Sequence, residues 1–307
     1  MKSYDKAPTT FPQQVELLRS RGLIIPDSAA AEIFLRQTNY YRFSAYCLPF
    51  ETVRHSFTAG VHFSDVQALY EFDRKLRALV DYALETVEII IRARAAYHLA
   101  HVYGAFAQED KNNFYFDEPS YATWIEKIRT ETDRSREVFI GHYKRTYSEY
   151  PALPIWVVME IMSFGSLIRL INNMYKKDAI AIAQSFGIHD RIFRSCLLSF
   201  SYVRNICAHH SRLAGKNLRV RLELPGHEEW VESADKRYIG AIILSLAYFM
   251  RSAEVEKDAL ARWQDDVERL LVSQINGLDI TALLGLKKGL PHIPGWRNEK
   301  HELFGNS

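Results

Sequence analysis

Arg204, Asn205, Cys207, His209 and His210 fall within seven consecutive positions of the stretch Ser201-Tyr-Val-Arg-Asn-Ile-Cys-Ala-His-His-Ser-Arg212. Those residue types suit cleavage of an RNA phosphodiester by its own 2′-OH. That reaction needs a base for the hydroxyl proton, an acid for the leaving oxygen and a cation for the developing phosphorane charge. Histidine serves the proton transfers because its unperturbed pKa lies near neutrality. Arginine serves the charge, since its planar fork matches phosphate and stays protonated. No metal or cofactor is needed on this route.

The element that must position these groups is a helix starting near Asp190, with Asp190 as its cap. Phe193, Cys196, Leu197, Phe200, Val203 and Cys207 recur at spacings of three and four and form its apolar face. At about 100° per residue, Arg204 is expected within about 40° of the centre of that stripe. The structural alternative for the stretch is a capped helix end with a satisfied core histidine and a snorkelled arginine. Arg204 and His209 lie about 140° apart around a regular helix, whereas Asn205 and His209 share a face. Either the helix ends or distorts near Cys207, or two copies of the chain assemble the site. The second is favoured, with paired motif helices across a two-fold axis.

Other chemistries fit less well. Cys207, His209 and His210 are too close along a helix to hold one zinc ion, and no second Cys/His pair completes a tetrahedron, so no metal site is expected. Cys207 and His209 are about 200° apart, which disfavours a thiol nucleophile with its base. His98 and His101 sit one turn apart without an evident third ligand. P-loop, dinucleotide-binding and nucleophile-elbow motifs do not occur.

The 307 residues are 48% apolar and 13% aromatic, which argues for a folded chain with ample core. A net charge of +2 gives no general polyanion footprint, so any RNA surface must be local. The three cysteines read as reduced thiols. The longest apolar run, Tyr238 to Met250, is too short to span a bilayer, and with no apolar leader a soluble cytoplasmic protein is expected.

Periodicity predicts an all-α fold. Short helices are expected over Phe11–Arg19 and from Pro26 to Thr38, the latter capped by Asp27 or Ser28. The cluster Tyr40, Tyr41, Phe43, Tyr46 and Phe50 reads as an apolar plug, with a base-stacking platform beside Arg42 as the alternative. Ser64-Asp-Val-Gln67 predicts the capping box of a long helix ending at Gly104. Its polar face carries Asp81, Glu85, Glu88 and Arg92, and Glu88 or Arg92 is a candidate for positioning Arg204. A charged helix is expected over 121–147. A core helix should run from Ile155 to Met174, with Glu160 paired inside it, and a short one from Lys177 to Phe186. Leu218–Leu224 alternates like a strand but reads as an extended loop, with Arg212, Arg219 and Arg221 as candidate RNA contacts. Helices over Ser233–Arg251 and Glu254–Ile275 follow. The tail Leu284–Trp296 is expected to pack irregularly or not at all.

Arg204-Asn205-Ile-Cys-Ala-His209 matches the R-N-x-x-x-H form of the R-x-x-x-x-H signature of HEPN ribonucleases. The longer string Val203–Leu213 resembles the motif of the Abi-like abortive-infection family of the AbiD/AbiF type. Asn39–Tyr46, Tyr70–Arg77, Glu88–Arg92 and Leu153–Gly165 resemble that family's other blocks, in order. In place of the Trp-Asn pair that usually follows the motif stands Ala214-Gly215-Lys216-Asn217. The resemblance implies a HEPN-type bundle over 61–276, an N-terminal helical extension over 1–60 and an irregular tail over 277–307. It implies a dimeric ribonuclease of phage defence with Arg204, Asn205 and His209 catalytic and His210 as neighbour. Its partners would be RNA as substrate, and in some members a bound small non-coding RNA or an antitoxin. The alternative is a non-catalytic protein that holds RNA through the same Arg/His motif.

Overall fold

A helix of 41 residues forms the spine of the molecule: α4, Phe63–Tyr103, about 60 Å long. The computed structural model describes residues 7–220, 222–224 and 232–297. Within them the fold is all-α, with one two-stranded antiparallel ribbon, β1 (Glu51–Val53) and β2 (Ser56–Phe57). That ribbon was not expected; its turn holds His55 at φ 70°, a conformation that local patterning does not announce.

The N-terminal helices α1 (Phe11–Ser20), α2 (Ser28–Thr38) and α3 (Tyr40–Cys47) pack on one another and, through α3 and Phe34 of α2, on the spine. Asp27 caps α2 by accepting from the Ala30 amide at 3.0 Å. Phe43, Tyr46 and Phe50 are buried, as a plug requires, but Tyr41 is 85% exposed. The cap of α4 falls two residues earlier than expected: the Asp65 carboxylate reaches back to the His62 amide at 2.8 Å. On the buried stripe of α4 lie Val66, Leu69, Phe72, Leu76, Val80, Ala83, Val87 and Ile91.

Two expected helices are each broken in two. The charged stretch forms α5 (Glu118–Arg134) and α6 (Val138–Thr146), and the core stretch forms α7 (Ile155–Ile161) and α8 (Phe164–Asn172). The second break has a visible cause. Arg92 donates to the carbonyls of Met159 and Met162, the latter at 2.5 Å, while Glu88 holds its other nitrogen at 2.5 Å. The guanidinium therefore takes the carbonyls that the helix leaves open, and Ser163 starts α8 by accepting from the Ser166 amide. Glu88 and Arg92 are thus an end-clamp for α7 and do not position Arg204. Glu160 is exposed, not paired in the core, because α7 turns it outward with Trp156 one turn earlier. Arg92→Ala should cost about 3 kcal/mol in a denaturant titration, since it strands Glu88 and two carbonyls.

Helices α9 (Lys176–Gln184) and α10 (Asp190–Ala208) lead into the motif. The apolar run forms α11 (Ile239–Ser252), buried at every position from Ile239 to Met250. It is followed by α12 (Lys257–Leu271) and the single turn α13 (Ile280–Leu283). Of the two expectations for the tail, packing is the one observed. Leu284, Leu286, Leu290, Ile293 and Trp296 are buried. Trp296 is anchored at both ends: its carbonyl accepts from Arg251 at 2.8 Å and its indole donates to Glu268 at 2.5 Å. Gly240 permits the approach, since a Cβ there would meet Leu286 Cδ2 at 2.6 Å and the Leu284 carbonyl at 2.8 Å.

Candidate functional site

Helix α10 starts with His189 as its cap, one residue before the expected Asp190, and ends at Ala208. Its end has a specific form. The amide of Ser211 donates to the Ile206 carbonyl and that of His210 to Cys207, both at 2.9 Å. His210 has a φ of 53°. This is a Schellman close with a histidine where glycine is the usual residue. The end near Cys207, one of the two alternatives from the sequence, is therefore real. It does not by itself gather the site, because Arg204 remains on the regular helix.

Arg204 is exposed and not beneath the apolar face. Ser199 and Ile206 also belong to the buried face, which moves its centre to roughly 70° from Arg204. Asn205, His209 and His210 are exposed too. Among the described residues, none of these four side chains has a hydrogen-bond or ion-pair partner. All four are exposed, so a satisfied core histidine does not account for them, whereas the capped helix end of the structural alternative is observed. The end of a helix presents carbonyls and not amides, so the backbone makes no cradle for phosphate here. Any anion at this point must be held by side chains, and Arg204 is the group able to do it.

Beneath the exposed motif is a buried polar clamp. Asp73, 0% exposed, accepts from the Leu213 and Ala214 amides at 3.0 and 2.7 Å through one oxygen. Its other oxygen accepts from Tyr46 at 2.8 Å and from Arg77. Arg77 in turn donates to the Tyr46 hydroxyl at 3.2 Å and to the Ser211 carbonyl at 3.4 Å. Two further arginines lace the segment to α3: Arg42 donates to the His210 carbonyl, and Arg212 to the Ala45 carbonyl at 2.5 Å. Residues 210–214 are thereby fixed from both α3 and α4. Desolvation and the nearby Asp73 carboxylate respectively raise and further raise the Tyr46 hydroxyl pKa, so it stays protonated and donates.

From the sequence, Tyr46 and Arg42 read as plug and stacking neighbour, and Asp73 and Arg77 only as part of the block Tyr70–Arg77; none reads as a clamp. One signal was present: Asp73 lies beside Phe72 on the buried stripe, with Arg77 four residues on. An acid and a base sharing a core face require each other. The other candidates divide. Arg212 is committed to the clamp, and burial lowers its pKa from the ordinary value without freeing the group for a ligand. Arg219 is exposed on a segment with no strand pairing, and Arg221 lies outside the described residues.

Cys207 is buried, and desolvation pushes its thiol up to about 12. It should stay unmodified by a thiol-specific reagent at pH 8 until the protein is unfolded, as mass spectrometry would read. His98 is engaged by Asp178 at 2.9 Å, a buried carboxylate that also accepts from Tyr103 at 2.7 Å. Local spacing offers no hint of this partner, which lies 80 residues away. Among the described residues no group of three or more His, Cys, Asp or Glu side chains could hold a metal ion. No described helix is long and apolar enough to cross a membrane.

A family model described as Abi-like protein matches residues 33–214, more than half of the chain. No curated protein and no solved structure matches. The matched span opens in α2, contains α3, the spine and the clamp, and closes at Ala214, whose amide the clamp holds. The chain thus belongs to the Abi-like family, a membership that suggests a part in abortive-infection phage defence.

Proposed function

We propose that this protein is a metal-independent endoribonuclease of the HEPN type that acts as a homodimer in phage defence. The observation that carries the reading is the contrast at the end of α10. Four exposed, unpartnered polar side chains, Arg204, Asn205, His209 and His210, stand at the end of α10, directly before residues 211–214, which a buried ion pair holds. A clamp that fixes the backbone beside these groups suits general acid–base catalysis, which needs its groups held in place.

In the reaction, the 2′-OH attacks the adjacent phosphorus while His209 takes or supplies a proton. Arg204 stabilises the phosphorane oxygens, and Asn205 orients phosphate or the partner copy's histidine. The 5′-oxygen leaves with a proton, giving a 2′,3′-cyclic phosphate and a 5′-hydroxyl. His210 is either a second proton-transfer group or a neighbour.

Homodimer formation is supported by the surface of α10. Leu198, 51% exposed, and the partly exposed Tyr202 continue through Asn205 to His209 at spacings of four, three and four. That strip is a helix face able to meet its own copy, and Arg204 diverges from His209 by about 140° within one chain. Site assembly across two copies removes the mismatch. A small non-coding RNA or an antitoxin would be the silencing partner, and the cytoplasm the place of action.

The test is to incubate purified protein in EDTA with labelled single-stranded and structured RNAs, beside His209→Ala. Cyclic phosphate ends that fall at least about 100-fold in the variant are expected. RNA retained by both proteins with no new ends would replace the reading with a non-catalytic RNA-binding one.

A further inference from the structure

Tyr41 is the most solvent-exposed residue of the aromatic cluster, 85% exposed while Phe43, Tyr46 and Phe50 around it are buried. Leaving a ring of that size in water forgoes burial that its neighbours obtain. Its backbone is nonetheless firmly placed. Asn39, at φ 70°, closes α2 and opens α3, and its side chain accepts from the Tyr41 amide at 2.8 Å.

The position of Tyr41 relative to the motif follows from its two neighbours on α3. Arg42, the next residue, donates to the carbonyl of His210. Ala45, one helical turn on and on the same face as Tyr41, accepts from Arg212 at 2.5 Å. Tyr41 thus immediately precedes, on the same short helix, two residues that both touch the segment 210–212. Side chains on a helix lean toward its N-terminus, so the exposed Tyr41 ring stands at the N-terminal rim of the α3 contact with that segment. A scissile phosphate at Arg204 and His209 would place the sugar and base of an adjoining nucleotide toward that rim.

We propose that Tyr41 is a base-stacking residue for the RNA substrate: its exposed ring packs on an unpaired nucleobase beside the cleaved phosphate. The inference rests on the ribonuclease reading and names its substrate class as single-stranded RNA. Stacking on a tyrosine face tolerates any base, so it selects for unpaired nucleotides and not for sequence. Duplex RNA, whose bases are already stacked on one another, gains nothing from it.

The test separates binding from cleavage. Dissociation constants for a single-stranded RNA of about 15 nucleotides are measured by fluorescence anisotropy on the uncleaving His209→Ala background. Tyr41→Ala should weaken binding about tenfold to hundredfold and Tyr41→Phe by less than about threefold. A set of RNAs with one abasic nucleotide at successive positions then gives the second half of a cycle. One abasic position should weaken binding to the intact ring as much as Tyr41→Ala does, and combining the two should add nothing further. A merely structural role for Tyr41 would not single out one nucleotide. Equal affinities for Tyr41→Ala and its parent overturn the proposal, as does loss that is the same at every abasic position. Cleavage by the wild-type protein is scored in parallel. Cleavage intact with Tyr41→Ala binding unchanged sinks the stacking role alone, whereas neither binding nor cleavage by wild type sinks the ribonuclease reading with it.

Discussion

A heterodimer of Arg204→Ala and His209→Ala should cleave RNA at about half the wild-type rate, although each variant alone is inactive. Each substitution removes one essential group, and the loss in either homodimer is expected to be about 100-fold or more. If each site takes its arginine from one copy and its histidine from the other, the mixed dimer contains one site with both defects and one with neither. Two purification tags, one on each variant, isolate the mixed species. Because both side chains are exposed and unpartnered, neither change disturbs the core, and circular dichroism should confirm unaltered folding. A mixed dimer as inactive as its parents would place the whole site within one chain, and a monomer in solution would remove the basis for the experiment.

Asp73→Ala is the second large effect, and it acts on stability. The carboxylate is fully buried, and its removal strands the Arg77 guanidinium, the Tyr46 hydroxyl and the Leu213 and Ala214 amides at once. Breaking a buried pair by deleting one partner costs about 3–5 kcal/mol. Denaturant midpoints should read that loss. Asp73→Asn keeps an acceptor for the two amides while losing the charge opposite Arg77, so it should fall between Ala and wild type. Cleavage by either variant should drop further than its folded fraction explains, because the segment carrying His210 is no longer tied down. A change below about 1 kcal/mol for Asp73→Ala would show that the clamp is not what holds this segment.

Helix α4, the caps near Asp27 and Gly104, the buried α11 and the motif helix were legible because their signals are local: periodicity of apolar residues and the types that cap them. What was not legible depends on partners distant in the chain. The break at Met162 contains no proline or glycine and is explained by Arg92, 70 residues away. The tail read as loose because it holds three glycines and two prolines, yet Gly240 on another helix makes the space it fills. At the motif, residue types singled out four side chains that the structure places on the surface, while the clamp came into view only when Asp73 was seen with Leu213, 140 positions on, and Ala214. Arg204 was misplaced because six residues defined the stripe and two more that share it, Ser199 and Ile206, were left out.

The left-handed backbone of His210 has a consequence for how this position tolerates change. A non-glycine residue there gives up roughly 1 kcal/mol that glycine would retain. In a library of all substitutions at 210, protein abundance should therefore rank glycine and asparagine at or above the native histidine, with valine and isoleucine lowest. Selection for folding alone would drift toward glycine. A histidine that ranks below glycine for abundance and above it for restriction of phage would mark 210 as a position where fitness and foldedness pull in opposite directions.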